Sequence, residues 1–122
     1  MYENTMKENL IQVKSFQFSI EIIKLYKKLR EQQEFVISKQ ILRSGTSIWA
    51  NVEEAIAGQS KKDFLTKIFI ALKEARETKY RLRLLQETDL YEGNVENYLK
   101  DIESVINILT KITKTTWESL KK

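Results

Sequence analysis

The chain has 122 residues, enough for one domain with a core of its own. It contains neither cysteine nor histidine, which excludes disulfides, a thiolate nucleophile, Cys-based zinc sites and the usual general base near neutral pH. The Glu-x-x-His pairs of carboxylate-bridged di-metal bundles are excluded with them. A formal charge of +4, with 42% hydrophobic and 31% charged residues, indicates a globular chain rather than a disordered one. No uncharged apolar run approaches the ~20 residues of a membrane span. The opening MYENTMKENL lacks the order of a secretory signal, so the expected setting is cytoplasmic, away from membranes. Proline is absent and glycine occurs only at 45, 58 and 93. The expected fold is therefore all-α: a single domain over 1–122, an antiparallel up-down-up-down four-helix bundle with helices near 9–31, 35–57, 61–89 and 95–120.

The first helix carries two apolar faces at ~100° per residue. Phe18, Ile22, Leu25, Tyr26 and Leu29 form one; Val13, Phe16, Ile20 and Ile23 form another on roughly the opposite side. One stripe suffices in a four-helix monomer, and monomers rarely expose large apolar patches. The second face points to self-association; the alternatives are a deeply buried helix or a terminal segment folded over it. The helix is expected to break in the polar run at 30–34.

The second helix places Ile41, Gly45, Ile48, Val52 and Ala55 on a core seam, beside a stripe of Gln40, Ser44, Ser47, Asn51 and Glu54. Gly45 in a helix interior costs ~1 kcal/mol relative to alanine, which predicts close approach of another backbone there. Gln40, Ser44, Ser47 and Asn51 are candidate interface residues, and hydrogen bonding that fixes helix register is the competing explanation. Gly58 is expected as a left-handed C-cap, and Ser60 as the N-cap of the third helix, accepting near Asp63. Gly93 and Asn94 repeat that pattern, with Asn94 as the N-cap of the fourth helix.

The third helix holds the charge. Residues 61–83 carry eight Lys or Arg against three acids, a net of +5, while the remainder nets −1. Asp63 with Lys67, Glu77 with Arg81 and Lys73 with Glu77 have the spacing of within-helix ion pairs. Lys62, Phe69, Lys73, Arg76, Tyr80 and Arg83 fall within about a quarter of the circumference, and Lys79 adds a further cation. Basic side chains interleaved with aromatics suit contact with phosphates and stacking on bases; a solvated face of snorkelling side chains has the same composition. The fourth helix is simply amphipathic, with Tyr98, Ile102, Val105, Ile106, Leu109, Ile112, Thr113 and Leu120 on one face. No enzyme is expected: Glu53 and Glu54 point about 100° apart, and the serines have no histidine base. No cofactor or metal is expected.

Several stretches resemble one family: KSFQF at 14–18 with Leu25 and Tyr26, SKQ at 38–40, RSGTSI at 43–48, Ala50, Asn51, Glu54, Ala55, Gly58, KKDF at 61–64, KEARE at 73–77 and LRLL at 82–85. These resemble the bacterial four-helix bundle proteins encoded in intervening sequences of large-subunit ribosomal RNA genes, over roughly 14–91. Trp49 departs from the pattern, which has a small residue there. The resemblance implies an antiparallel bundle assembled as a ring-like homopentamer, with no established enzymatic activity. The family is similar to the accessory proteins of diversity-generating retroelements, basic pentameric barrels that engage nucleic acid and a reverse transcriptase.

The leading expectation is an oligomeric scaffold binding RNA or DNA through Lys62, Lys73, Arg76, Lys79, Tyr80 and Arg83, assembled through Val13, Phe16, Ile20, Ile23, Gln40, Ser44, Ser47 and Asn51. The alternative is a protein-interaction module of an oligomer, without nucleic acid.

Overall fold

The computed structural model describes residues 6–121, with side chains from Leu10 onward. It contains four helices: α1 (Met6–Glu31), α2 (Ile37–Ile56), α3 (Lys61–Glu87) and α4 (Glu96–Leu120). Each packs on its neighbour in sequence, and α4 closes the ring on α1. Short connections at 57–60 and 32–36 leave no room for a crossover, so consecutive helices run antiparallel. This is the expected four-helix bundle.

The core is built from one stripe per helix: Ile11, Phe18, Ile22, Leu25 and Leu29 from α1; Ile41, Ile48 and Val52 from α2; Phe64, Ile68 and Leu82 from α3; Ile102, Val105 and Leu109 from α4. Each of the larger side chains contributes about 1.5–3 kcal/mol by leaving water. Their three- and four-residue spacing is the reason these segments are helices in this bundle rather than isolated, marginal ones.

The connections differ in part from their sequence signals. Ser60 caps α3 as expected, its hydroxyl accepting from the Asp63 amide at 3.0 Å. Gly58 is not left-handed; Gln33 (φ 65°) has the positive φ among the described residues. Ala57 keeps helical dihedrals, and the Gly58 amide turns back to the Ala55 carbonyl at 3.1 Å. A Cβ on Gly58 would lie 3.0 Å from that carbonyl oxygen, so the glycine serves closeness rather than handedness. Asn94 acts one position early: its side chain accepts from the Glu96 amide at 2.7 Å, while Val95 occupies the N-cap position.

The break between α1 and α2 depends on Glu34. Its carboxylate accepts from the amides of Val36 (3.2 Å), Ile37 (3.1 Å) and Ser38 (2.6 Å). Three otherwise orphaned donors at a helix start converge on one anion, which the helix dipole also favours.

Gly45 is fully enclosed, but not by another backbone. A Cβ there would lie 2.9 Å from Cγ2 and 3.0 Å from Cγ1 of Ile22, so the missing side chain makes room for α1 of the same chain. Gly45→Ala should lose about 1–3 kcal/mol to overpacking, against a gain of ~1 kcal/mol in helix propensity. On an Ile22→Ala background the two closest contacts are gone and only the Cβ contact at 3.3 Å remains, so the same substitution should become stabilising. Urea unfolding of the two singles and the double measures this; the same sign in both backgrounds would contradict the packing assignment.

Candidate functional site

Two outward surfaces correspond to the sequence expectations. On α1, Val13, Phe16, Ile20 and Ile23 are all exposed, Phe16 by 50%. The helix is thus not deeply buried, since its second apolar face lies in water among the described residues. Phe16 meets the edge of Trp49 from α2, with ring centroids 5.5 Å apart, so the residue that departs from the family pattern widens this patch.

The polar stripe of α2 divides. Ser44, expected at an interface, is fully buried within the chain and corrects that expectation: its hydroxyl accepts from Thr78 Oγ1 of α3 at 2.8 Å. Thr78 lies on the core side of α3, opposite the small residues of α2, which draws the serine inward. Ser47 donates to the Arg43 carbonyl (2.6 Å) and Asn51 donates to the Ser47 carbonyl (2.9 Å), both half-buried. Gln40 remains exposed. Ser44 therefore fixes α2 against α3, as in the register explanation.

On α3 the ion pairs reach across helices rather than along the helix, whereas α1 holds one pair of its own, Lys24 with Glu21 at 3.2 Å. None of the three within-helix pairs expected on α3 forms. Lys67 reaches Glu54 of α2 (3.7 Å), Arg43 reaches Glu74 (3.7 Å), and Lys79 pairs with Glu103 of α4. Antiparallel packing brings these partners close to the side chains, and each pair bridges a seam. Lys79 is consequently half-buried and neutralised by Glu103, unlike the other candidate phosphate-binding cations.

Lys62, Lys73, Arg76 and Arg83 are exposed, and none forms an ion pair among the described residues. Tyr80 is 62% exposed on the same strip. Arg76 and Tyr80 line two adjoining shallow grooves: one continues to Phe69 and Lys73, the other crosses to Arg83, Glu103 and Ile106 of α4. The two grooves thus bring together Phe69, Lys73, Arg76, Tyr80 and Arg83, with Lys79 at the edge, while Lys62 lies outside both.

Beside this strip, burial raises the Glu74 carboxyl above its ordinary range, helped by a hydrogen bond with Glu77 and by repulsion from it. Arg43 and Lys73 oppose the shift. Only 13% of the Glu74 side chain is exposed, so its charge is poorly hydrated. Below the unperturbed value of 4.5 the group is protonated folded or unfolded. As pH rises through the raised folded value, the folded state must ionise a carboxyl it holds less well than the unfolded chain does, and stability falls. Glu74→Gln should therefore raise the melting temperature at pH 7–8, with the gain disappearing below about pH 4. Melting curves across pH test this, and a gain independent of pH would contradict it.

Among the described residues no cluster of acidic side chains could hold a metal ion, and no helix is long and apolar enough to cross a membrane. The fold and surfaces define an all-α four-helix bundle protein. Residues 7–111 match the model of the 23S rRNA-intervening sequence proteins, and the chain belongs to that family. It is similar to a protein of unknown function from the S23 ribosomal protein family of Bacteroides thetaiotaomicron, solved at 1.70 Å. The two are 49% identical with a TM-score of 0.72, over 96% of this chain and all of that one. No curated protein matches the chain.

Proposed function

We propose that the protein is a cytoplasmic oligomeric scaffold that binds RNA or DNA electrostatically through α3. The observation that carries this reading is the strip of Lys62, Lys73, Arg76 and Arg83, four exposed cations without ion-pair partners among the described residues, on a chain whose remaining residues are close to neutral. Such a strip favours a polyanion, with binding weakened by salt as counterions return to the phosphates. Lys79 contributes less, because Glu103 already neutralises it.

Self-association is supported by the exposed face of α1, and the family resemblance favours a homopentamer. Repeating the α3 strip around a ring makes weak phosphate contacts act together. A protein partner, such as a reverse transcriptase, would use the same assembly. The second reading, a protein-interaction module without nucleic acid, draws on the α1 face alone; a partner that remains bound after nuclease treatment would favour it.

Charge reversal at Lys73, Arg76 and Arg83 to Glu is expected to abolish binding to RNA or DNA without changing the assembled mass. Unchanged affinity across a salt titration would rule out the electrostatic reading. Light scattering should give several times the 14.5 kDa chain mass, and Phe16→Asp with Ile20→Asp should return it to one chain. A mass unchanged in that variant would move the contact to α2, and a monomeric parent would remove the scaffold.

A further inference from the structure

We infer that the groove between α3 and α4 takes single-stranded rather than double-stranded nucleic acid, with Phe69, Tyr80 and Trp117 as stacking platforms. The inference rests on the nucleic-acid reading above and adds the strand class and a contribution from α4. Its starting point is that three aromatic side chains stand about half or more in water on this one side: Phe69 at 48%, Tyr80 at 62% and Trp117 at 50%. Charge alone would serve a duplex, whose bases are stacked on each other and present edges and phosphates. Exposed rings among cations instead match the surface that meets unpaired bases, because every base offers a π face.

The geometry places the rings along one track. Phe69 and Tyr80 are eleven residues apart, about three helical turns, and so lie on the same strip of α3 about 16 Å from one another. Ile106 and Trp117 have the same spacing on α4, and Ile106 lines the groove with Arg76 and Tyr80. Two contacts fix the register of the helices, Lys79 with Glu103 and Lys61 with Ser119. Trp117 therefore sits level with the first turn of α3, beyond Phe69, with the Lys121 ammonium 5.5 Å from its ring centroid, a flexible exposed cation that a stacked base would displace. From there to Arg83 the track runs roughly 28 Å, on the order of eight nucleotides at the stacked spacing of one phosphate per ~3.4 Å. That lies within the usual footprint of single-strand binding surfaces.

Cations accompany the rings: Lys121 at Trp117, Lys62 in the first turn of α3, Lys73 and Arg76 between Phe69 and Tyr80, and Arg83 beyond Tyr80. Two acids border the track. Glu103 is held by Lys79, and Glu77 lines the groove beside Lys73 and Arg76. The charge along the track stays positive.

The test uses the full chain and two fluorescein-labelled probes at one salt concentration: a fifteen-nucleotide oligothymidylate and a duplex of fifteen base pairs. Fluorescence anisotropy should show the single strand bound at least tenfold more tightly. Phe69→Ala, Tyr80→Ala and Trp117→Ala should each weaken single-strand binding on the order of tenfold, leave duplex affinity and the salt slope unchanged, and retain parental circular dichroism and assembled mass. Trp117→Phe should restore most of the loss. In a Trp49→Phe background, Trp117 emission should be quenched by the oligothymidylate and not by the duplex. Equal affinity for both probes, with the aromatic variants silent, overturns the single-strand inference and leaves the electrostatic reading intact. Binding of neither probe overturns both.

Discussion

The space left by Gly45 governs how α2 sits in the bundle. With no Cβ there, Ile22 of α1 can press directly against the α2 backbone, while one residue earlier Ser44 joins Thr78 of α3 in a buried hydrogen bond. One side of α2 is fixed by apolar closeness and the adjacent side by a directional bond. A slip along the helix axis would drive Ile22 into a side chain and leave two buried hydroxyls without each other, a penalty of the kind that selects one packing over its neighbours. With α2 so held, α1 can turn Phe16 and Ile20 outward, and α3 can present its basic strip away from the core.

The ion pairs follow from that placement. Lys67, Arg43 and Lys79 each reach across a seam to an acid on the next helix. Their partners are at least partly exposed, and pairs of this sort contribute little to stability. Their larger effect is on what remains: the cations near the seams are neutralised, and those at the crest of α3 are not. The boundary between paired and unpaired charge therefore runs along the helix circumference rather than along the sequence.

Much of the fold could be read from spacing, because apolar residues three and four apart and a serine ahead of Asp63 act locally. The four helices, the Ser60 cap and the crest of Lys62, Lys73, Arg76, Tyr80 and Arg83 follow from neighbours in sequence. What escaped depends on partners elsewhere. Glu34 resembles any surface acid until the chain turns and three amides face it. Ser44 and Ser47 look alike in a polar stripe, yet only one meets Thr78. Lys79 reads as one more cation until Glu103 lies opposite. Trp117 lies off the core face that sets the periodicity of α4, and is exposed. An exposed tryptophan eleven residues from Ile106 was the available signal.

The order of packing also bears on how the molecule is made. Each of α2, α3 and α4 rests on the helix that precedes it in the chain, across connections of a few residues, and the one distant pairing brings α4 back to α1. Most native contacts are therefore close in sequence, the condition under which helical proteins fold in microseconds to milliseconds. During synthesis α1 can pack on α2 before α4 has emerged, leaving the outer face of α1 formed early. Ring closure by α4 is the late event, and a chain that lacked it would expose Phe18 and Ile22 beside Phe16. The exposed apolar face of α1 would then merge with the core it should be separated from, a ready route to aggregation of incomplete chains.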